Sequence, residues 1–199
     1  MQEGRRALAR PGRLTVGVVD AHSGEHIPRL ETERLLLRGW RDGDLDAWAR
    51  VCADPEVTRF IGGVHDREQA WRAIAVYAGH WMLRGYGLWV VERREDRAVI
   101  GRVGLWNPEG WPGEEIGWTL AREAWGHGYA IEAAEAAMTW AWETLTVPRL
   151  ISVIDPRNDR SIAVARRLGM RHARDWEFHG VRAHIYEIAR PCRADAQVI

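Results

Sequence analysis

Two glycines flank a histidine in the run AWGHGYAIEAAEAA, residues 124–137, and an alanine-rich helix follows them directly. Glycine costs up to about 1 kcal/mol relative to alanine in a helix, so propensity does not account for Gly126 and Gly128. A helix start carries N–H groups without intrahelical acceptors and the positive end of the peptide dipoles. With no Cβ at either glycine, an anion can approach those groups, and a phosphate is the natural guest. A tight turn that needs glycine for its backbone angle alone is the competing reading.

Two familiar phosphate loops do not fit. All 28 basic residues are arginine, which removes the lysine of a P-loop and any Schiff-base lysine. A dinucleotide-binding turn would want glycine or alanine where Ile131 stands. Farther along, Asn158 and Ser161 in NDRS have the spacing of a helix cap and its first turn. Cys52 and Cys192 match no metal or redox spacing and read as idle thiols. His22 and His26 have helical ligand spacing but no third ligand, so no metal is assigned.

The elements that position these residues follow from periodicity. ETERLLLRGW reads as a first strand, DGDLDAWARVCAD as a helix, and REQAWRAIAVYAGHWMLRG as a second helix ended by Gly85. Trp71, Ile74, Ala78 and Trp81 are expected on the buried stripe of that second helix. LWVVERREDRAVIGRVGLW reads as a hairpin, then EEIGWTL as a strand after a turn-rich loop. The helix starting near Gly128 carries Ile131, Ala134, Met138, Ala141 and Leu145 inward. RLISVI is a strand, NDRSIAVARRLG a helix closed by Gly169, and two strands finish the pattern. LTVGVV, in the N-terminal extension of residues 1–28, offers a further short strand. The order predicts one α/β (α+β) domain over residues 29–191, with about seven strands in a mixed sheet and about four flanking helices. EEIGWTL and RLISVI should be parallel, joined by a right-handed crossover. Residues 192–199 form a short tail.

Formal charge is zero, 28 basic against 28 acidic residues, so no global field draws the protein to nucleic acid or anionic lipid. No apolar run has the length of a membrane span or a signal peptide, and a cytoplasmic location is expected. Most of the 12 tryptophans should serve packing.

EEIGWTLAREAWGHGYAIEA followed by NDRSIAVARRLGM resembles the GNAT superfamily of acyl-CoA-dependent N-acyltransferases, and within it the RimJ/RimL-like branch. The similarity runs from about Arg29 to Arg190, through TERLLLR, IGRVGL and GVRAHIYEIAR. It implies that the coenzyme A pyrophosphate is held by backbone amides of the loop Trp125, Gly126, His127, Gly128, Tyr129 and Ala130. Tryptophan at the first loop position departs from the family's Gln/Arg. The resemblance further implies that the two strands diverge to admit the pantetheine arm, and that strand amides near Trp118 to Leu120 meet the thioester carbonyl. Asn158 would touch the coenzyme, and Ser161 would donate a hydrogen bond to its departing sulfur.

The activity so implied is transfer of an acyl group, most simply acetyl, from acetyl-CoA to a primary amine on a small molecule or a protein N-terminus. Glu115 is the candidate general base, with Glu114 pointing the other way and His127 and His179 as lesser candidates. Trp106 and Trp111 either line the acceptor pocket or pack beneath its loop. A non-catalytic acyl-CoA-binding module is the alternative on the same fold, and a homodimer rests on family habit alone.

Overall fold

The computed structural model describes residues 27–178 and 180–191 of the 199. LTVGVV, His22, His26, His179 and Cys192 lie outside them. One eight-stranded sheet runs in the order β1-β2-β3-β4-β5-β6-β8-β7. Its strands are β1 (Leu30–Glu31), β2 (Leu35–Arg38), β3 (Leu88–Arg93), β4 (Val99–Trp106), β5 (Glu115–Leu120), β6 (Arg149–Ile154), β7 (Arg171–Phe178) and β8 (Val181–Ala189). The helices are α1 (Leu45–Ala53), α2 (Pro55–Thr58), α3 (Arg67–Arg84), α4 (Tyr129–Thr144) and α5 (Asp159–Arg167). The expected order holds, with two short additions. β1 is a two-residue strand paired antiparallel to β2. α2 is a single turn that Asp54 caps by accepting from the Glu56 amide, with proline at the helix start.

β3 is a continuous apolar run because the sheet is covered on both sides: Leu88, Trp89, Val90 and Val91 are all buried. One core cluster joins residues of α4 and α5 to the sheet through Leu37, Trp89, Ile116 and Tyr186. Another gathers Trp48, Val51, Cys52 and Ala70 from α1 and α3 against Val90. Ala133, Ala134, Ala137 and Ala141 of α4 are fully buried, and their small side chains let the helix backbone lie close to the strands. Ile131 and Leu145 are half-buried at its two ends.

α3 departs from its expected stripe. Trp81 is buried, Ile74 and Ala78 are half-buried, but Trp71 is 50% exposed. The inward line runs through Ala70, Ile74, Tyr77 and Trp81, which follow the helical spacing one residue earlier. Gly85 ends α3 at a φ of 73°, as expected of its position.

Every neighbouring pair of strands is antiparallel except β5 and β6, which are parallel as expected. Those two share a single register pair, Glu115 with Ile151, and then separate. The split divides the sheet into two blades.

A buried ion cluster fixes the first blade. Arg38, 4% exposed, holds Asp44 with two bonds of 2.8 and 2.7 Å and Glu92 with one of 2.8 Å. Asp44 also accepts from the Arg41 amide, which secures the turn before α1. Removing the guanidinium would leave buried Asp44 without its cation and Glu92 with only the exposed Arg97 at 3.7 Å. Arg38→Met should therefore cost about 3–5 kcal/mol in unfolding free energy, measured by urea titration with tryptophan fluorescence.

Candidate active site

The split between β5 and β6 is where the candidate residues collect. In a strand, the N–H and C=O of one residue point to the same side, alternating along the chain. The Glu114 carbonyl accepts from Ile151 and the Ile116 carbonyl from the Ser152 hydroxyl, so even-numbered residues face β6. Trp118 and Leu120 therefore turn their backbone polar groups into the gap. The Leu120 carbonyl is met there by the Trp125 indole N–H at 2.9 Å.

Two cavities meet at this gap. The first, about 770 Å³, runs from Trp118 and Leu120 past Trp125, Gly126, Gly128, Tyr129 and Ala130 to Asn158, Ser161 and Val164. Arg59, Arg157, Arg160 and Arg167 add four cations to its walls. The second, about 570 Å³, is lined by Tyr77, Arg102, Trp106, Trp111, Glu115, Gly117 and Trp176. Phe60, Ile61, Trp118, Thr119, Asn158 and Ser161 border both. Ser161 thus stands at the junction.

The glycine loop takes the left-handed turn that its composition allows. Gly126 has φ of 80° and Gly128, the residue capping α4, has φ of 81°. A side chain there would be strained by about 1–2 kcal/mol. The loop is also clamped from outside. Arg34 pairs with Glu132 at 2.6 Å, donates to the His127 carbonyl at 2.9 Å and lies 4.6 Å from the centre of the Tyr129 ring. The Thr32 hydroxyl donates to the same Glu132 at 2.6 Å. Trp125, with its N–H committed to Leu120, carries the Arg160 guanidinium 4.3 Å above its ring. His127 stacks on Tyr129 and is outside the lining of both cavities. Asn158 is a true cap: its side-chain oxygen accepts from the Ser161 amide at 3.2 Å.

Glu115 lies at the crotch of the split. Its carboxylate accepts from the Val153 amide at 3.1 Å, replacing the strand partner which that amide loses where β6 leaves β5. The Trp111 indole donates to its other oxygen at 2.8 Å. Burial pushes its pKa up from 4.5 to about 7, against the Val153 amide, the Trp111 indole and the Arg102 charge, which favour the carboxylate. Glu114 instead accepts from the Asn107 amide and lines neither cavity. Trp106 and Trp111 both line the second cavity, and Trp106 is stacked on His80 at 4.6 Å.

Sequence reasoning missed Arg34, Arg102, Arg160 and Trp176, whose positions depend on strand register and long-range pairing. It also missed a surface cluster on β7 and β8. A bulge between His172 and Arg174 shifts the register, so that His172 and Asp175 both approach His184. Asp175 Oδ1 is 3.0 Å from His172 Nε2 and 3.5 Å from His184 Nε2.

Comparisons with known proteins agree on the family of the chain. Residues 34–171 match the family model described as an acetyltransferase (GNAT) domain. The Bacillus subtilis protein YkkB is 31% identical over 154 residues, covering 73% of this chain and 87% of that one. The crystal structure of an acetyltransferase from Agrobacterium tumefaciens superimposes with a TM-score of 0.74 at 32% identity, covering 86% and 99% of the two chains. At 18% identity, RimL, a ribosomal L7/L12 alpha-N-protein acetyltransferase solved with coenzyme A, shares the fold with a TM-score of 0.68, over 79% and 95% of the chains.

The raised pKa of Glu115 has a stability consequence. Between pH 4.5 and about 7 the folded chain holds a proton at this carboxyl that the unfolded chain has released. Stability is then lost as pH rises through that window. Relative to Glu115→Gln, the wild type should lose roughly 3 kcal/mol between pH 4 and pH 8. Urea midpoints of both proteins at the two pH values measure the difference.

Proposed function

The chain belongs to the GNAT acetyltransferase family, and from that premise we propose that it moves an acetyl group from acetyl-CoA directly to a primary amine in a ternary complex. The observation that carries this reading is the pair of cavities meeting at Ser161 and Thr119. One is a groove with a helix start and four arginines, suited to a phosphate-bearing, extended ligand. The other is a compact aromatic chamber containing a half-buried carboxyl, suited to an amine.

In the groove, the amides of Gly126 to Ala130 and the arginines hold the coenzyme phosphates. The pantetheine arm lies along the exposed edge of β5 as an additional strand, using the polar groups of Trp118 and Leu120. A β5 amide at this edge stabilises the oxygen that gains charge as the amine attacks the thioester. Asn158 orders the turn that presents Ser161, whose hydroxyl donates to the leaving sulfur. A coenzyme thiolate is a tolerable leaving group near neutral pH, so a hydrogen bond suffices.

Glu115 takes the proton from the incoming ammonium. A pKa of about 7 suits a base that must be charged before the reaction and protonated after it. Val153 and Trp111 keep the carboxyl in one orientation toward the chamber. The acceptor is a small-molecule amine or a protein N-terminus.

Calorimetry with acetyl-CoA, followed by thiol release across a panel of amines, tests the assignment. Binding with turnover supports an enzyme, whereas binding with no thiol release from any amine would identify a non-catalytic module. Glu115→Gln should lower kcat/KM roughly 10²-fold for a strongly basic alkylamine and much less for trifluoroethylamine, which is already neutral at pH 7. An equal loss for both amines would exclude the base. Ser161→Ala should reduce kcat with little change in acetyl-CoA affinity.

A further inference from the structure

Arg102 on β4 is a cation that no ion pair neutralises; its charge reaches the Glu115 carboxyl only from beyond ion-pair distance. Among the described residues no carboxylate forms an ion pair with it, and its Nε is buried without a hydrogen-bond partner. Its guanidinium sits 4.9 Å from the Tyr77 ring centre and 5.8 Å from that of Trp48. Aromatic faces attract a cation but offer its N–H groups no acceptors in the guanidinium plane. A half-buried arginine left in this state loses water without a full replacement.

The strand register shows where that charge faces. Arg102 pairs with Thr119 and Trp106 pairs with Glu115, so Arg102 and Glu115 occupy the same side of the β4–β5 ladder. They stand four residues apart along it, about 13 Å at ~3.3 Å per residue. Between them lies Gly117, where a Cβ would come within 3.8 Å of Glu115 Oε1. Gly117 thus raises no side chain between the carboxyl and the guanidinium, and the Glu115 carboxyl leans over it. Aromatic rings form the walls, Tyr77 and Trp106 in one edge-on pair and Trp111 and Trp176 in another. The chamber's remaining charges are disposed otherwise: Asp155 is paired with Arg157 at 2.7 Å, and Arg182 is exposed.

We propose that the acceptor carries a carboxylate at the end of the molecule opposite its amine, and that Arg102 binds this carboxylate while an apolar or aromatic body spans Gly117. The inference rests on the acetyl-transfer reading and narrows its acceptor class. A ligand of this form completes the hydrogen bonding of Arg102 with a planar, two-oxygen partner. It also lays its body against the aromatic walls. The acceptor's amine then reaches the end of the chamber where Glu115 lies.

A matched pair of probes tests it: 4-(aminomethyl)benzoate and the isosteric 4-(aminomethyl)benzamide, whose carboxamide end carries no charge. Both are titrated calorimetrically into the full chain saturated with coenzyme A, and both are assayed for thiol release from acetyl-CoA. The wild type should prefer the acid at least about tenfold, the low end of what a hydrogen bond to a charged group contributes. Arg102→Gln should abolish the preference, and Arg102→Lys, which keeps a charge, should retain part of it. Thermal melts of each variant confirm folding, and the lysine variant remains informative should glutamine prove unstable. Equal affinity for acid and amide, no binding of either, or an undiminished preference in Arg102→Gln would overturn the proposal. Acetyl-CoA binding by the same samples separates the two failures, because loss of the coenzyme interaction would sink the acetyl-transfer reading itself.

Discussion

The parallel contact between β5 and β6 is limited to one register pair, and the rest of the architecture is arranged around that shortfall. A sheet interrupted in mid-course leaves backbone donors and acceptors that must be satisfied in some other way. Side chains do part of this, with Glu115 accepting from Val153 and the Ser152 hydroxyl reaching the Ile116 carbonyl. The remainder, at Trp118 and Leu120, borders an open groove. An imperfection in pairing and a binding cleft are here the same feature.

The two cavities draw on different physics. The groove is built of helix-start amides, left-handed glycines and arginines, all suited to negative charge on a long ligand. The chamber is built largely of indole and phenol rings, with Glu115 and Arg102 facing each other along its β4–β5 floor. Their shared border at Phe60, Thr119, Asn158 and Ser161 is made by three separate parts of the chain. Gly117, Arg102 and Trp176 line the chamber and not the groove, so the chamber can change through them while the groove keeps its composition.

Local patterns in the sequence carried much of the fold. Gly126 and Gly128 announced a turn into α4, Asn158 announced the cap of α5, and Gly85 the end of α3; each is decided within a few residues. The loop's clamp was illegible, because Arg34 and Glu132 are 98 residues apart and neither is unusual in its own segment. Arg102 looked like any strand arginine until the register set it beside Thr119. Trp71 was misassigned for a subtler reason. A helix with apolar residues on several sides, as α3 has, admits stripes that differ by one position, and only the packing of Ala70 decides between them.

The Arg34–Glu132 clamp bears on the order in which the molecule can mature. The segment that steadies the glycine loop lies at the start of the domain, while Asn158, Ser161 and Trp176 arrive from its last third. As the chain leaves the ribosome, neither cavity can exist until nearly all of it has emerged. Affinity for the coenzyme should consequently develop late and report near-complete assembly.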